Sequence, residues 1–207
     1  TVTATVGAAA VGTITDTAGS HDVNAPVVLD TNTSVGVVVS TDTLKLANLT
    51  STGKTLTKTG AGTLEVDTVR SSAALTVSAG TLKMASSGVG DVGLGTKNSH
   101  VSSLSMTSGS SIDLTNNNLI IEASDFADSQ TKYAAAKALV ASGFGNFDWL
   151  GTGITSSTAA AAAQIDGSRA LGIINNNDWG HGQIEGDSVG GNDIIIKYTY
   201  VGDANVD

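Results

Sequence analysis

Between Leu56 and Met84 the chain states one phrase twice, LTKTGAGTLEV and then LTVSAGTLKM, with DTVRSSAA between them. Each copy opens on an apolar–Thr step, Leu56-Thr57 or Leu75-Thr76. Each turns on a small pair, Ala61-Gly62 or Ala79-Gly80, and resumes as Thr63-Leu64-Glu65-Val66 or Thr81-Leu82-Lys83-Met84. A period near 20 residues means stacked units rather than a closed globule (about 20 being typical of short solenoid repeats). Apolar residues alternate with Thr, Lys and Glu at period two, so the units are strands. One unit is too short to bury its own apolar face and needs a copy on either side. A leucine buried in such a stack contributes about 1.5–3 kcal/mol. The stack is therefore stable only as a run, with its ends capped or paired.

The same strand recurs as Thr43-Leu44-Lys45-Leu46 and as Ser103-Leu104-Ser105-Met106. Ser111-Ile112-Asp113-Leu114 follows a Ser-Gly-Ser turn. Leu119–Ile121 closes the run after Asn116-Asn117-Asn118, read as a turn in preference to an inward ladder. Upstream, Thr1–Val6, Val11–Thr15, Val27–Leu29 and Val35–Val39 read as strands of drifted repeats. The glycines between Ala85 and Asn98 mark a loop budding from the stack. These features predict an all-β dominated chain: a right-handed parallel β-solenoid over residues 1–122 and a small mixed α/β cap over 123–207. In the cap, Ser124 or Asp125 starts a helix over Asp128–Ser142 that ends at Gly143. A second helix is expected over Ser157–Ala163, where alanines dominate. Phe144, Phe147, Trp149 and Trp179 concentrate here, which suggests a compact plug at the solenoid end; a sugar-binding aromatic platform is the sharper reading.

The net charge is −9, which disfavours nucleic acid and anionic membrane as partners. Cysteine is absent, so disulfides and thiolate chemistry are excluded. No apolar run reaches membrane-spanning length. Thr1–Val6 already reads as strand, which implies a removed leader and a secreted, extracellular or cell-surface protein.

Asp203-x-Asn205-x-Asp207 is the clearest chemical motif. Oxygen ligands at positions one, three and five begin a calcium loop of the EF-hand type. The glycine at six and the acid at twelve do not follow, so either Ca2+ binds a half loop or the tail is ordered without metal. Asp178, His181, Glu185 and Asp187 form a second polar group among glycines, read as a solvated loop. His21, His100 and His181 stand apart in the sequence and read as surface residues. There is no G-x-S-x-G elbow, and the arginines, Arg70 and Arg169, do not sit among acids. An enzyme is not expected.

KTGAGTLEV followed by LTVSAGTLKM resembles the autotransporter-associated β-strand repeat of large secreted bacterial surface proteins, many of them from planctomycetes. IDLTNNNLIIE, the Ala-rich helix, WLGTGITSSTAAA, ALGIINNNDWG and IIIKYTYVGDANVD resemble the tails of such proteins, in the same order. That resemblance implies a surface protein whose last segment leads into a dockerin-like calcium loop.

A solenoid offers strand edges at its ends, and identical copies stacking through a non-closing interface make a filament. The expected role is a structural subunit of an extracellular fibre, matrix or surface layer, a homo-oligomer or filament. Thr1, Val2, Thr3, Ala4, Thr5 and Val6 form one expected joining strand; Ile194, Ile195, Ile196, Tyr198 and Tyr200 mark the other. The alternatives are an adhesin or scaffold module that recognises polysaccharide or a partner protein, and a carbohydrate-active β-helix enzyme.

Overall fold

The computed structural model describes residues 1–6, 11–87 and 97–203. The chain is a β-solenoid of about 5 turns with a helix-containing C-terminal region. In order, the elements are β1 (Val2–Val6), β2 (Val11–Asp16), β3 (His21–Val23), β4 (Val27–Val28), β5 (Asn32–Val37), β6 (Thr43–Leu46), β7 (Leu49–Thr50) and β8 (Leu56–Thr59). They continue with β9 (Thr63–Val66), β10 (Arg70–Val77), β11 (Thr81–Met84), β12 (Asn98–Met106), β13 (Ser111–Asp113) and β14 (Asn118–Ile121). Last come α1 (Phe126–Phe144), β15 (Gly153–Thr155), α2 (Ser157–Ala163), β16 (Arg169–Asn175), α3 (Asn176–Trp179), β17 (Gln183–Ile184), β18 (Asp187–Ser188) and β19 (Ile194–Tyr200). Two compact units emerge: Thr1–Ala85 with Val101–Ile112, and Ser86–His100 with Asp113–Asp207. The division falls earlier than the expected boundary at 122/123, because β14 pairs with β19 of the C-terminal segment.

In the first unit each turn contributes a strand to each of two sheets. One sheet runs β1-β2-β5-β8-β10-β12 and the other β3-β6-β9-β11-β13, with β4 and β7 forming a small third face. The repeat stacks in register: Thr63-Leu64-Glu65-Val66 lies against Thr43-Leu44-Lys45-Leu46, and Thr81-Leu82-Lys83-Met84 against it in turn. Period two then sends Leu44, Leu46, Leu64, Val66, Leu82 and Met84 inward, all buried. From the other sheet Val35, Val37, Leu56, Leu75 and Val77 close the same interior.

The small turn pairs have a steric cause. A Cβ at Gly62 would lie 2.3 Å from the Val39 carbonyl oxygen, and one at Gly80 would lie 2.4 Å from that of Gly62. Each turn rests directly on the backbone of the turn before, and a side chain there would hold the rungs apart. Gly80 also sits at φ +65, where glycine carries no steric cost.

Ser103-Leu104-Ser105-Met106 is not a further copy of the Thr-Leu-x-apolar strand. It belongs to β12 and stacks beside β10, where the Thr107 N–H donates to the Val77 carbonyl. The fourth copy is Ser111-Ile112-Asp113, whose Ser111 N–H donates to Gly80 O just as Thr81 N–H donates to Gly62 O. The longer turn Thr107–Ser110 disguised this equivalence. The first strand also departs from the solenoid pattern: β1 folds back antiparallel on β2, pairing Val2 with Asp16 and Val6 with Gly12.

In the second unit β19 lies between β14 and β16, antiparallel to both. Leu119, Ile120, Ile121 and Ile194 to Ile196 are all buried, which accounts for their continuous apolar runs. Helix α1 is longer than the sequence suggested, with Asp125 as N-cap accepting from the Asp128 N–H and Gly145 as C-cap. Gly143 lies inside it, where a Cβ would meet the Ile154 carbonyl oxygen at 1.9 Å, so this glycine serves contact with β15 rather than termination. Helix α2 spans the expected residues, and Ser156 Oγ caps it by accepting from the Ala159 N–H. Among the described residues no helix is long and apolar enough to cross a membrane.

Candidate functional site: an open edge and a polar groove

The two expected joining strands differ in their surroundings. Strand β1 has β2 on one side and no further described strand on the other. The Thr17 N–H donates to Thr1 O at 3.2 Å, which sets the phase of the antiparallel ladder. By alternation, Thr3 and Thr5 bond to β2, while the amides of Val2, Ala4 and Val6 face away from it. Strand β19, by contrast, has both edges taken, with Leu119 to Ile121 on one side and Arg169 to Asn175 on the other. Ile194, Ile195, Ile196 and Tyr198 are buried between them and offer no edge to another molecule; only Tyr200 is exposed. An unbroken β-branched run is the mark of a strand buried on both faces, not of a joining edge. Among the described strands, β16 is the one that ends this sheet, and there the Arg169 guanidinium lies 3.9 Å over the Tyr200 ring.

Of the expected calcium ligands, Asn205 and Asp207 lie outside the described residues. Asp203 folds back on β19, where its carboxylate accepts from the Thr199 hydroxyl. Among the described residues no three His, Asp or Glu side chains gather closely enough to hold a metal ion.

The polar group of the second unit is divided rather than shared. Asp187 accepts from Asn98 Nδ2 at 2.8 Å, and the same nitrogen donates to Ile184 O at 3.0 Å. Glu185 lies 4.0 Å from Lys197 Nζ, whose side chain is buried in β19. These bonds pin the β17–β18 hairpin onto the sheet. His181 instead stacks on Trp179 with ring centroids 4.1 Å apart, while Asp178 is exposed. Phe144 packs against Phe147 and Trp149 at 5.0 and 4.8 Å; Trp149 is buried, whereas Phe147 remains largely exposed.

The asparagine triplet is both a turn and a scaffold. Asn116 Oδ1 accepts from the Ser87 N–H and Asn117 Oδ1 from the Lys97 N–H, so the turn grips both stems of the glycine-rich segment. Asn118 donates to Asn98 Oδ1 at 2.9 Å and accepts from the Tyr198 N–H.

The first unit carries a groove that sequence spacing did not reveal. It has a volume of about 480 Å³ and is lined by Ser20, His21, Asp22, Thr43, Lys45 and Glu65. Its floor is a charge column set by register: Asp22 pairs with Lys45, Lys45 with Glu65, and Glu65 with Lys83. Glu65 lies 3.5 Å from Lys45 Nζ and 3.0 Å from Lys83 Nζ. At one end His21 Nδ1 lies 3.1 Å from Asp16 Oδ2. Asp16 is 1 % exposed, and its other oxygen has no hydrogen-bond partner among the described residues. A carboxylate only accepts, so the imidazole nitrogen that faces it, Nδ1, is the donor of this contact. The signal in the sequence was Asp16-x4-His21 across a Gly-Ser turn, visible only once both strands are known to face inward.

No family model, curated protein or solved structure matches this chain.

Proposed function

We propose that this protein is a secreted structural subunit, a short solenoid that joins other copies in an extracellular fibre, matrix or surface layer. The single observation that carries the reading is β1: an uncharged, Thr- and Val-rich strand whose Val2, Ala4 and Val6 amides face away from β2. Natural edge strands are usually blunted by charge, proline or a bulge, and Val2–Val6 carries neither charge nor proline. An unblunted edge is a template for adding a strand from another chain. A calcium joint through Asp203, Asn205 and Asp207 of one copy, completed by the next, is a second element of this proposal.

Negative-stain electron microscopy of the purified protein, with calcium and then with chelator, tests it. Filaments in both conditions support joining by strand edges. Filaments lost on chelation support the calcium joint. The companion variant is Ala4→Pro, which removes an outward N–H and leaves the bonds to β2 in place. It abolishes filaments if β1 is the joining edge. Isolated monomers in every condition at high concentration overturn the proposal.

A further inference from the structure

We propose that β16, together with the groove between it and α1, is the acceptor for β1 of a second copy of this chain. The inference rests on the proposed assembly through β1 and names the surface that β1 joins.

The open side of β16 follows from its ladder with β19. The Val201 N–H donates to Ser168 O and the Asn176 N–H to Asp193 O, at 3.0 and 2.8 Å. With Arg169 opposite Tyr200 and Asn175 opposite Ile194, both bonds set the same phase. By alternation Ala170, Gly172 and Ile174 bond to β19, while the amides of Leu171 and Ile173 face away from it. Among the described residues no strand lies beyond β16 to receive them. The strand is not blunted either. RALGIIN has no proline, and its one charge, Arg169, sits at the end and is held over the Tyr200 ring.

Beside this edge is an apolar groove of about 280 Å³, lined by Val140, Ala141 and Phe144 of α1, by Trp149, and by Leu171 and Ile173. Lys137 is its charged member and is exposed. An edge with free backbone groups, next to a groove for alternate side chains, takes up an extended segment as an added strand.

Pattern and phase single out β1 as that segment. Its outward amides belong to Val2, Ala4 and Val6, the apolar half of VTATV. Directly opposed residues of an antiparallel pair carry their side chains on one face of the sheet. Joining these residues to Leu171 and Ile173 therefore sets the apolar half of β1 on the groove side and the Thr3 and Thr5 half on the other. Two β1 strands paired with each other would close a dimer and leave the groove uncovered. The pairing of β1 with β16 is heterologous, so every copy keeps one donor edge and one acceptor edge, and the row of copies stays open-ended.

Complementation between blocked copies tests it, with mass read by sedimentation velocity and filaments scored by electron microscopy. Ala4→Pro blocks the donor strand. Ile173→Pro removes an outward N–H of β16 and leaves its bonds to β19 in place. Ala141→Arg fills the groove from an exposed position on α1, at little cost to the fold, and keeps the experiment decisive where Ile173→Pro does not fold. Each variant alone is expected to lose filaments. Ala4→Pro mixed with either acceptor variant is expected to give a dimer of twice the monomer mass and nothing larger. Filaments formed by the acceptor variants alone overturn the inference while joining through β1 stands. Acceptor variants that dimerise by themselves show β1 pairing with β1 and overturn it too, as do mixtures that stay monomeric where the wild type forms filaments. A wild type that is monomeric at high concentration overturns the assembly reading and this inference with it.

Discussion

Lys58 reaches from one turn of the solenoid into the next, its Nζ donating to the Ala79 carbonyl oxygen at 3.1 Å. The same nitrogen donates to Thr59 O and Gly60 O, each at 2.8 Å. Lys58 occupies an inward position, with Val35 and Val77 as its register partners, and is fully buried. An apolar column thus contains one cation, tolerated because three turn carbonyls take the place of water.

Burial lowers the Lys58 pKa to about 8. Below that pH the ammonium is charged in folded and unfolded chains alike, and the cost of burying it is fully present. As pH rises from about 8 toward the unfolded value of about 10.4, the folded state releases its proton first. The unfolded state then holds more protons, so stability rises with pH across this window. Urea melts of the wild type and Lys58→Met at pH 7.5 and 9.5 check it: the wild type gains on the variant at the higher pH. Lys58→Ala, which also removes the buried stem, costs about 2–4 kcal/mol at pH 7.

Gly62 tests the stacking of turns. Gly62→Ala puts a methyl group against Val39 O, Val37 Cγ1 and Asp42 O, two of them backbone. The rungs must separate, at a cost of about 1–3 kcal/mol. Ala61→Ser, at the exposed neighbouring position, shifts stability by less than about 0.5 kcal/mol. Thermal melts of both variants distinguish a steric requirement at Gly62 from a general sensitivity of the turn.

Asn118 tests the polar scaffold of the second unit. Asn118→Ala removes one bond to Asn98 and one to the Tyr198 amide, both inside the sheet. The expected loss is about 1–3 kcal/mol, with faster hydrogen exchange at the Tyr198 N–H. Asn146→Ala, at an exposed turn, is expected to be silent in both measurements.

The sequence by itself determined the solenoid. A phrase repeated at nearly constant spacing, with period-two alternation and glycines at its turns, leaves few other ways to bury Leu44, Leu64 and Leu82. Local signals also placed α2 to the residue and narrowed the cap of α1 to Ser124 or Asp125, of which the structure uses Asp125, because capping depends only on neighbours in the chain. What only the tertiary structure decided is which strand lies beside which. Alternation tells a strand which face is apolar but not who its neighbours are. Ser103–Met106 therefore read as a copy of the wrong strand, and Ile194–Tyr200 read as an edge when it is the interior of a sheet. The same holds for chemistry. Asp16 and His21 meet, Lys58 turns inward, and Lys45, Glu65 and Lys83 align because ladders bring residues from successive turns within one strand spacing. Those distances are set by register between turns, and a period read along the chain does not contain them.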